Sequence, residues 1–248
     1  MTESDHAVPE PGPGAKMMFL IRRRADASRE ELIAHWFANH MPGVISAQGK
    51  AAAGGHPHAW RYLATLFDPQ DRNDAWDGVA QLWFDQPMPR PAAPFGEPPR
   101  DSFQEKAEPY VPWATREYVI VDGADRLPVT PLTLNAPFPT TRSGFCKAVT
   151  LLAARPDADV TAMSRHWLTV HAANVAATLK AVGGFRYVVS LSIDPGAEPY
   201  VGMAEVYFTD AAAMRAFRER LEADGMERWL DPAATRMLTA GTEMIGIP

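Results

Sequence analysis

The chain has 248 residues, 46% hydrophobic and 22% charged, the composition of a globular protein with one large core or two small ones. Its net charge of −6 argues against a nucleic-acid surface, which needs clustered Lys and Arg, and the run Arg22-Arg23-Arg24 is too short to supply one. The single cysteine, Cys146, excludes an intramolecular disulfide and a thiolate metal cage, and no apolar run approaches membrane-spanning length.

Residues 1–15 read as a disordered tail without the charged-then-apolar plan of a signal peptide, so a cytoplasmic protein is expected. KMMFLIRR (16–23) is the first strand-like run. Ser28 is a good helix N-cap, and Glu31 three residues on completes a capping box. Leu32, Ile33, Trp36, Phe37, Met41 and Val44 then recur at helical spacing. Within this helix stands HWFANH, His35 to His40, and Pro42 is expected to end or kink the helix near His40 because it lacks a donor N–H. WRYLATLFD (60–68) and GVAQLWFD (78–85) read as strands joined by a turn. QPMPRPAAPFGEPPR (86–100) is a proline-dense loop, either a plain surface insertion or a semi-rigid lid or interface arm. REYVIVD (116–122) closes the first half, and a Pro/Thr-rich linker spans 123–145.

The same order then recurs. KAVTLLAA (147–154) falls on KMMFLIRR, Asp159 on Ser28, and HWLTVH (166–171) on HWFANH, all 131 positions later. FRYVVSLSID (185–194) and GMAEVYFT (202–209) match the two middle strands at offsets of 125 and 124, so the first copy holds an extra stretch around GGHPHAW. TEMIGIP (242–248) answers REYVIVD. Residues 16–122 and 146–248 are therefore two repeats, each reading strand, helix, two strands, helix, strand. That βαββαβ order is the ferredoxin-like plan, and two such sheets face to face give an α+β barrel within one chain.

The box REELIAHWFANHMP, set in that order of elements, resembles the first-helix pattern of the EthD family of the dimeric α+β barrel superfamily. Matching elements cover most of 16–122 and 146–248, although Ala173 stands in the second copy where the first has Pro42. The superfamily includes polyketide cyclases, muconolactone isomerases, antibiotic-biosynthesis monooxygenases and haem-using enzymes. The resemblance thus implies a pocket, and the residues must supply the function.

Residues five apart on an α-helix are separated by about 140°, so neither helix is expected to direct both its histidines at one metal ion. His40 falls within the apolar stripe and His35 nearly opposite. His40 is the candidate general acid or base, with Tyr62 or His58 as its hydrogen-bonding partner, against the alternative of a buried, satisfied histidine. His171 is the counterpart candidate, though its mid-helix apolar setting also suits a structural hydrogen bond. His35 and His166 suit supporting or surface hydrogen bonds. Trp36, Phe37, Trp83 and Trp167 are candidate substrate walls or plain core aromatics. In Arg61-Tyr62 and Arg186-Tyr187 successive side chains point to opposite sheet faces, so one of each pair can enter a helix-side pocket. Tyr62 and Tyr187 suit an apolar wall; Arg61 and Arg186 suit a carboxylate or enolate, or an acid at a sheet edge or at the interface between the halves. The first repeat, with its His-containing insertion and proline-dense loop, is expected to carry the chemistry.

These residues, with the resemblance, imply a lyase or isomerase that needs no metal or organic cofactor. It would decarboxylate, dehydrate, cyclise or isomerise an aromatic or polyketide-like small molecule by proton transfer. No nucleic-acid or membrane partner is expected, and a homodimer is left open. The alternatives are an accessory protein that binds a hydrophobic ligand for a degradation pathway, and haem binding through one histidine.

Overall fold

The structure, a computed structural model, describes residues 7–70, 75–127 and 137–248. Runs of β-branched and aromatic residues form eight strands: β1 (Ala15–Ile21), β2 (Arg61–Leu66), β3 (Gly78–Phe84), β4 (Trp113–Val121), β5 (Thr140–Leu152), β6 (Arg186–Ser192), β7 (Gly202–Phe208) and β8 (Arg236–Ile247). They are hydrogen-bonded in the closed order β1-β3-β2-β8-β5-β7-β6-β4, the expected α+β barrel. β5 begins at Thr140, inside the stretch expected as linker; the part of that stretch at 128–136, like 1–6 of the expected tail, lies outside the described residues. Gly12, in the same expected tail, is tied down by its N–H on the Glu117 carbonyl, 2.8 Å away. Among the described residues no helix is long and apolar enough to cross a membrane.

The compact units differ from the sequence repeats in one respect. One unit gathers 14–114 with 137–143 and 240–248, so that β2 pairs antiparallel with the end of β8, from Leu66 opposite Thr242 to Tyr62 opposite Ile247. The other gathers 115–127 with 144–239, and there β4 pairs antiparallel with β6. Each three-stranded core therefore receives as its fourth strand the last strand of the other repeat.

Strand alternation divides each sheet into two faces. In the first unit Met17, Phe19, Ile21, Tyr62, Leu82 and Met244 lie in the core beneath the helices. The opposite face carries Lys16, Thr65, Gln81 and Glu243, all buried. Gln81 donates to Thr65 at 3.2 Å, and Arg142 holds Glu243 at 2.5 Å. In the second unit Lys147 and Glu205 are both buried and form a 2.6 Å ion pair. Such polar groups are tolerated in an interior only when partnered.

The helices over the outer face begin as the sequence predicts. α1 (Arg29–His35) has the full capping box: Glu31 N–H donates to Ser28 Oγ at 3.1 Å and Ser28 N–H to the Glu31 carboxylate at 2.9 Å. α3 (Val160–His166) is capped by Asp159, which accepts from Ala162 N–H. They run on into α2 (Met41–Ala53) and α4 (Ala172–Ala181). The second helix expected in each repeat exists only in repeat 2, as α5 (Ala211–Arg220). Between β3 and β4 of repeat 1 there is no helix, because prolines at 87, 89, 91, 94, 98 and 99 remove the donors a helix needs. In its place a strap over residues 86–112 closes on itself through paired backbone bonds between Phe95 and Tyr110.

Each first helix rests a tryptophan directly on a strand glycine. A Cβ added at Gly78 would lie 3.0 Å from the Trp36 ring and 2.6 Å from the Thr65 carbonyl; at Gly202 the distances are 2.8 Å to Trp167 and 2.7 Å to the Ser190 carbonyl. Gly78→Ala and Gly202→Ala should each therefore destabilise by about 1–3 kcal/mol, the usual cost of overpacking a filled core. Urea unfolding followed by tryptophan fluorescence checks this.

Candidate functional site

The helix changes pitch for one turn at the HWxxxH box. Trp36–His40 forms a π-helical turn in which Met41 N–H reaches back to the Trp36 carbonyl, and Trp167–His171 repeats it from Ala172 to Trp167. The widened turn brings residues five apart round to nearly the same side, which corrects the 140° separation expected from ideal α geometry. The helix also does not end at His40; it continues to Ala53 with Pro42 in the first turn of α2, where a missing donor is tolerated. The same turn forms in repeat 2 with Ala173 in that position, so proline is not its cause.

The consequence is a histidine–carboxylate pair in each repeat. His40 Nδ1 lies 2.7 Å from Asp101 Oδ2, and His171 Nδ1 lies 2.8 Å from Asp224 Oδ2. The outer histidines turn toward the same segments. His35 Nδ1 bonds Ser102 Oγ at 2.9 Å, and His166 Nε2 stands 3.6 Å from Asp224 Oδ1. Beneath each pair Trp36 donates to the Tyr62 hydroxyl at 3.1 Å and Trp167 to the Tyr187 hydroxyl at 3.0 Å. Burial pushes both tyrosine hydroxyls well above their usual range, so they remain protonated donors.

Asp101 comes from the strap. Burial alone would raise its carboxyl, but the hydrogen bond from His40, the Gln104 N–H, the charge on His40 and the Phe103 N–H together hold it below the usual carboxylate range. Asp224 is lowered in the same way: burial is outweighed by Asn174, by the charge and hydrogen bond of His171, and by the Met226 N–H. An ionised Asp101 only accepts, so the proton between the two groups sits on His40 Nδ1; in the neutral imidazole Nε2 is then the acceptor. The ring also lies against Phe103, 4.5 Å between centroids.

His40 lines a cavity of about 190 Å³ roofed by the strap, with Phe19, Phe84, Phe95 and Phe103 among its walls. His40, Gln48, Tyr62, Gln104 and Tyr110 are its polar groups. The Tyr110 hydroxyl accepts from Gln104 at 3.1 Å, and burial pushes it up to about 12. His171 lines a wider cavity of about 330 Å³ with Trp167, Leu152, Glu222 and Glu227.

The other candidates from the sequence stand elsewhere. His58, expected as a partner of His40, is bonded to the His56 carbonyl in its own loop, and Tyr62, the other expected partner, is bonded to Trp36. Trp83 and Arg61 lie on the inner face, with the Arg61 guanidinium 4.7 Å above the Trp83 ring. Arg186 pairs at 2.5 Å with Asp122 of the first repeat, which is the alternative of an acid partner between the halves. Phe37 packs against the core without lining the cavity, and Tyr187 supports Trp167 from below without lining the His171 cavity. Among the described residues no group of three His, Cys, Asp or Glu side chains is placed to hold a metal ion.

Sequence reasoning missed both carboxylates and the strap aromatics. Asp101 aligns with Asp224 and Phe103 with Met226 at an offset of 123, which none of the matched runs shares, so the repeat register did not point to them.

No family model matches the chain, and no curated protein matches it in sequence. Among solved structures, an anthrone oxidase-like protein is similar over 95% of this chain and 94% of its own, with a TM-score of 0.52 at 10% identity. A variant of chlorite dismutase from Candidatus Nitrospira defluvii covers 93% of this chain and 92% of its own, with a TM-score of 0.46 at 10% identity. The first likeness shows a shared α+β barrel fold.

Because Asp101 and Asp224 are held below the unfolded carboxylate value of about 3.9, their stabilising contribution is complete above that pH and is lost as pH falls through the folded values. Stability of the wild type should therefore decline below about pH 4 more steeply than that of Asp101→Asn/Asp224→Asn. Urea unfolding from pH 2.5 to 6 measures both slopes.

Proposed function

We propose that the protein is a tandem EthD-like enzyme that moves protons on a small oxygenated aromatic or enolisable ring, with no cofactor taking part. The observation that carries this reading is the His40–Asp101 pair facing an apolar cavity. The carboxylate fixes the tautomer and orientation of the imidazole and stabilises the imidazolium that forms. Nε2 then takes a proton from a carbon next to a carbonyl, or from a phenolic hydroxyl. The resulting enolate or phenolate oxygen accepts a hydrogen bond from Tyr62, whose own proton is not used in holding Trp36. Return of the proton to a different atom completes an isomerisation. Expulsion of a β-hydroxyl, with the proton delivered to it as water leaves, completes a dehydration.

The size of the cavity limits the substrate. A void of about 150 Å³ takes up benzene, so about 190 Å³ suits one substituted ring. A haem exceeds it, since pockets for drug-sized ligands begin near 300 Å³; the residues around His40 do not fit that group. His171–Asp224 is proposed as a second site of the same construction, in a wider cavity whose rim carries Glu222 and Glu227. His40 is assigned the main reaction, since the strap closes only the first cavity.

Proton abstraction can be tested on simple ring ketones. Deuterium uptake from D2O into a panel of one-ring enolisable ketones is followed by NMR for the wild type, His40→Ala, His171→Ala and Tyr62→Phe. His40→Ala should slow exchange on the order of 10²–10⁴-fold, and Tyr62→Phe on the order of 10²-fold as an oxyanion donor is lost. His171→Ala should leave exchange in the first site intact. Loss of exchange in His171→Ala alone, with its melting temperature unchanged, would assign the chemistry to the second repeat. Tight ligand retention with no exchange by any protein would favour a binding or accessory role.

A further inference from the structure

The helix over the first cavity carries a polar side chain where its repeat carries a leucine. Gln48 aligns with Leu179, 131 positions on, and Leu179 is fully buried in the second core. Gln48 is half-buried and lines the His40 cavity. Its Oε1 accepts from the Ala59 N–H at 2.7 Å. That bond settles the amide orientation, because a backbone N–H can meet only the carbonyl side. Nε2 is therefore the end left over, and it makes no hydrogen bond among the described residues. The Gln48 amide thus satisfies the Ala59 N–H, which a leucine could not, and still has two protons to give.

Gln48 lies eight residues beyond His40 along α2, roughly 12 Å of helix rise, and both line the same cavity. The two ends differ in hydrogen-bonding character. His40 Nε2 is an acceptor. Tyr62 and Tyr110 each accept one bond, from Trp36 and Gln104, and keep a hydroxyl proton to give. Gln48 Nε2 has two protons to give. A cavity with one acceptor at the His40 end and donors elsewhere complements a molecule that surrenders one proton and presents oxygens along the rest of its length.

We propose that Gln48 determines specificity by donating from Nε2 to a carbonyl or phenolate oxygen at the end of the substrate remote from His40. The substrate is thus a single ring bearing at least two oxygen functions, one at the reacting end and one at the Gln48 end, and no cationic substituent. This inference rests on the His40 cavity being the substrate site.

Gln48→Glu separates recognition from structure. The glutamate keeps an oxygen to accept from Ala59 N–H, while its other atom changes from donor to anionic acceptor. The probes are 4-hydroxybenzaldehyde, with an oxygen at each end, and 4-hydroxybenzylamine, with a cation at one end. Binding is measured by quenching of tryptophan fluorescence, with the melting temperature recorded for each protein. The wild type should bind the aldehyde at least 10-fold tighter than the amine, and Gln48→Glu should reverse that order with an unchanged melting temperature. Equal aldehyde binding by both proteins, binding of neither probe to the wild type, or a lower melting temperature with equal loss of both probes would overturn the proposal. The binding readout does not depend on turnover. If His40→Ala leaves deuterium exchange unaffected while Gln48→Glu still reverses probe preference, proton transfer fails and the assignment of Gln48 stands.

Discussion

The Met41 N–H could have closed an ordinary helical turn on Phe37, but it reaches back to the Trp36 carbonyl instead, and Ala172 does the same to Trp167. One extra residue in the turn has two effects. It keeps the tryptophan on the stripe that packs against the strand glycine, and it swings the histidine four positions later toward the carboxylate of the segment between the last two strands. An unbroken α-helix would hold Trp36 inward and carry His40 past Asp101. π turns persist where a geometric demand outweighs the weaker backbone bonding, and the same turn in both repeats at 131 positions' separation marks that demand as common to both.

The two repeats share this helix and diverge in what answers it. In repeat 2 the carboxylate stands just beyond α5, in a segment that also receives Asn174, and the cavity stays wide. In repeat 1 proline density forbids the helix, so the chain crosses the sheet as a strap that places Phe95, Phe103 and Tyr110 over the outer face. A helix presents only one stripe to a sheet, whereas an irregular strap can turn several large side chains inward. Its backbone polar groups must then be satisfied one by one, as the Phe95–Tyr110 bridge and the Gln104 contacts do.

The fold was largely legible because periodicity and duplication reinforce one another: strand runs, the Ser28–Glu31 capping box and the repeat register each report local chemistry. The exchange of β4 and β8 was not, since which edge a final strand joins depends on long-range pairing that no local periodicity reports. At the site, His40 and Tyr62 were legible as inward-facing polar groups on apolar elements. Their partners were misassigned because the π turn is invisible to a 100° helical wheel. Asp101 hid just beyond the proline-dense loop, in a stretch that no matched run of the repeat covers. Arg61 and Arg186 recur in equivalent strands, yet recurrence in a duplicated barrel also follows from shared stability requirements.

Those requirements separate the two faces of the sheet. On the inner face Lys16 and Lys147 occupy equivalent positions, as do Gln81 and Glu205. Repeat 2 answers its buried lysine with Glu205 directly at 2.6 Å. Repeat 1 has an uncharged Gln81 there, and the anion on that face is instead Glu243, delivered by the exchanged strand β8 and held by Arg142. Burying such charges costs several kcal/mol per ion and is repaid only with close partners, so a strand that carries the missing carboxylate also fixes its own register. The inner face thus uses charge to specify strand pairing. The outer face is left apolar apart from one histidine–carboxylate pair per repeat and a few donors, the setting in which a proton can be moved.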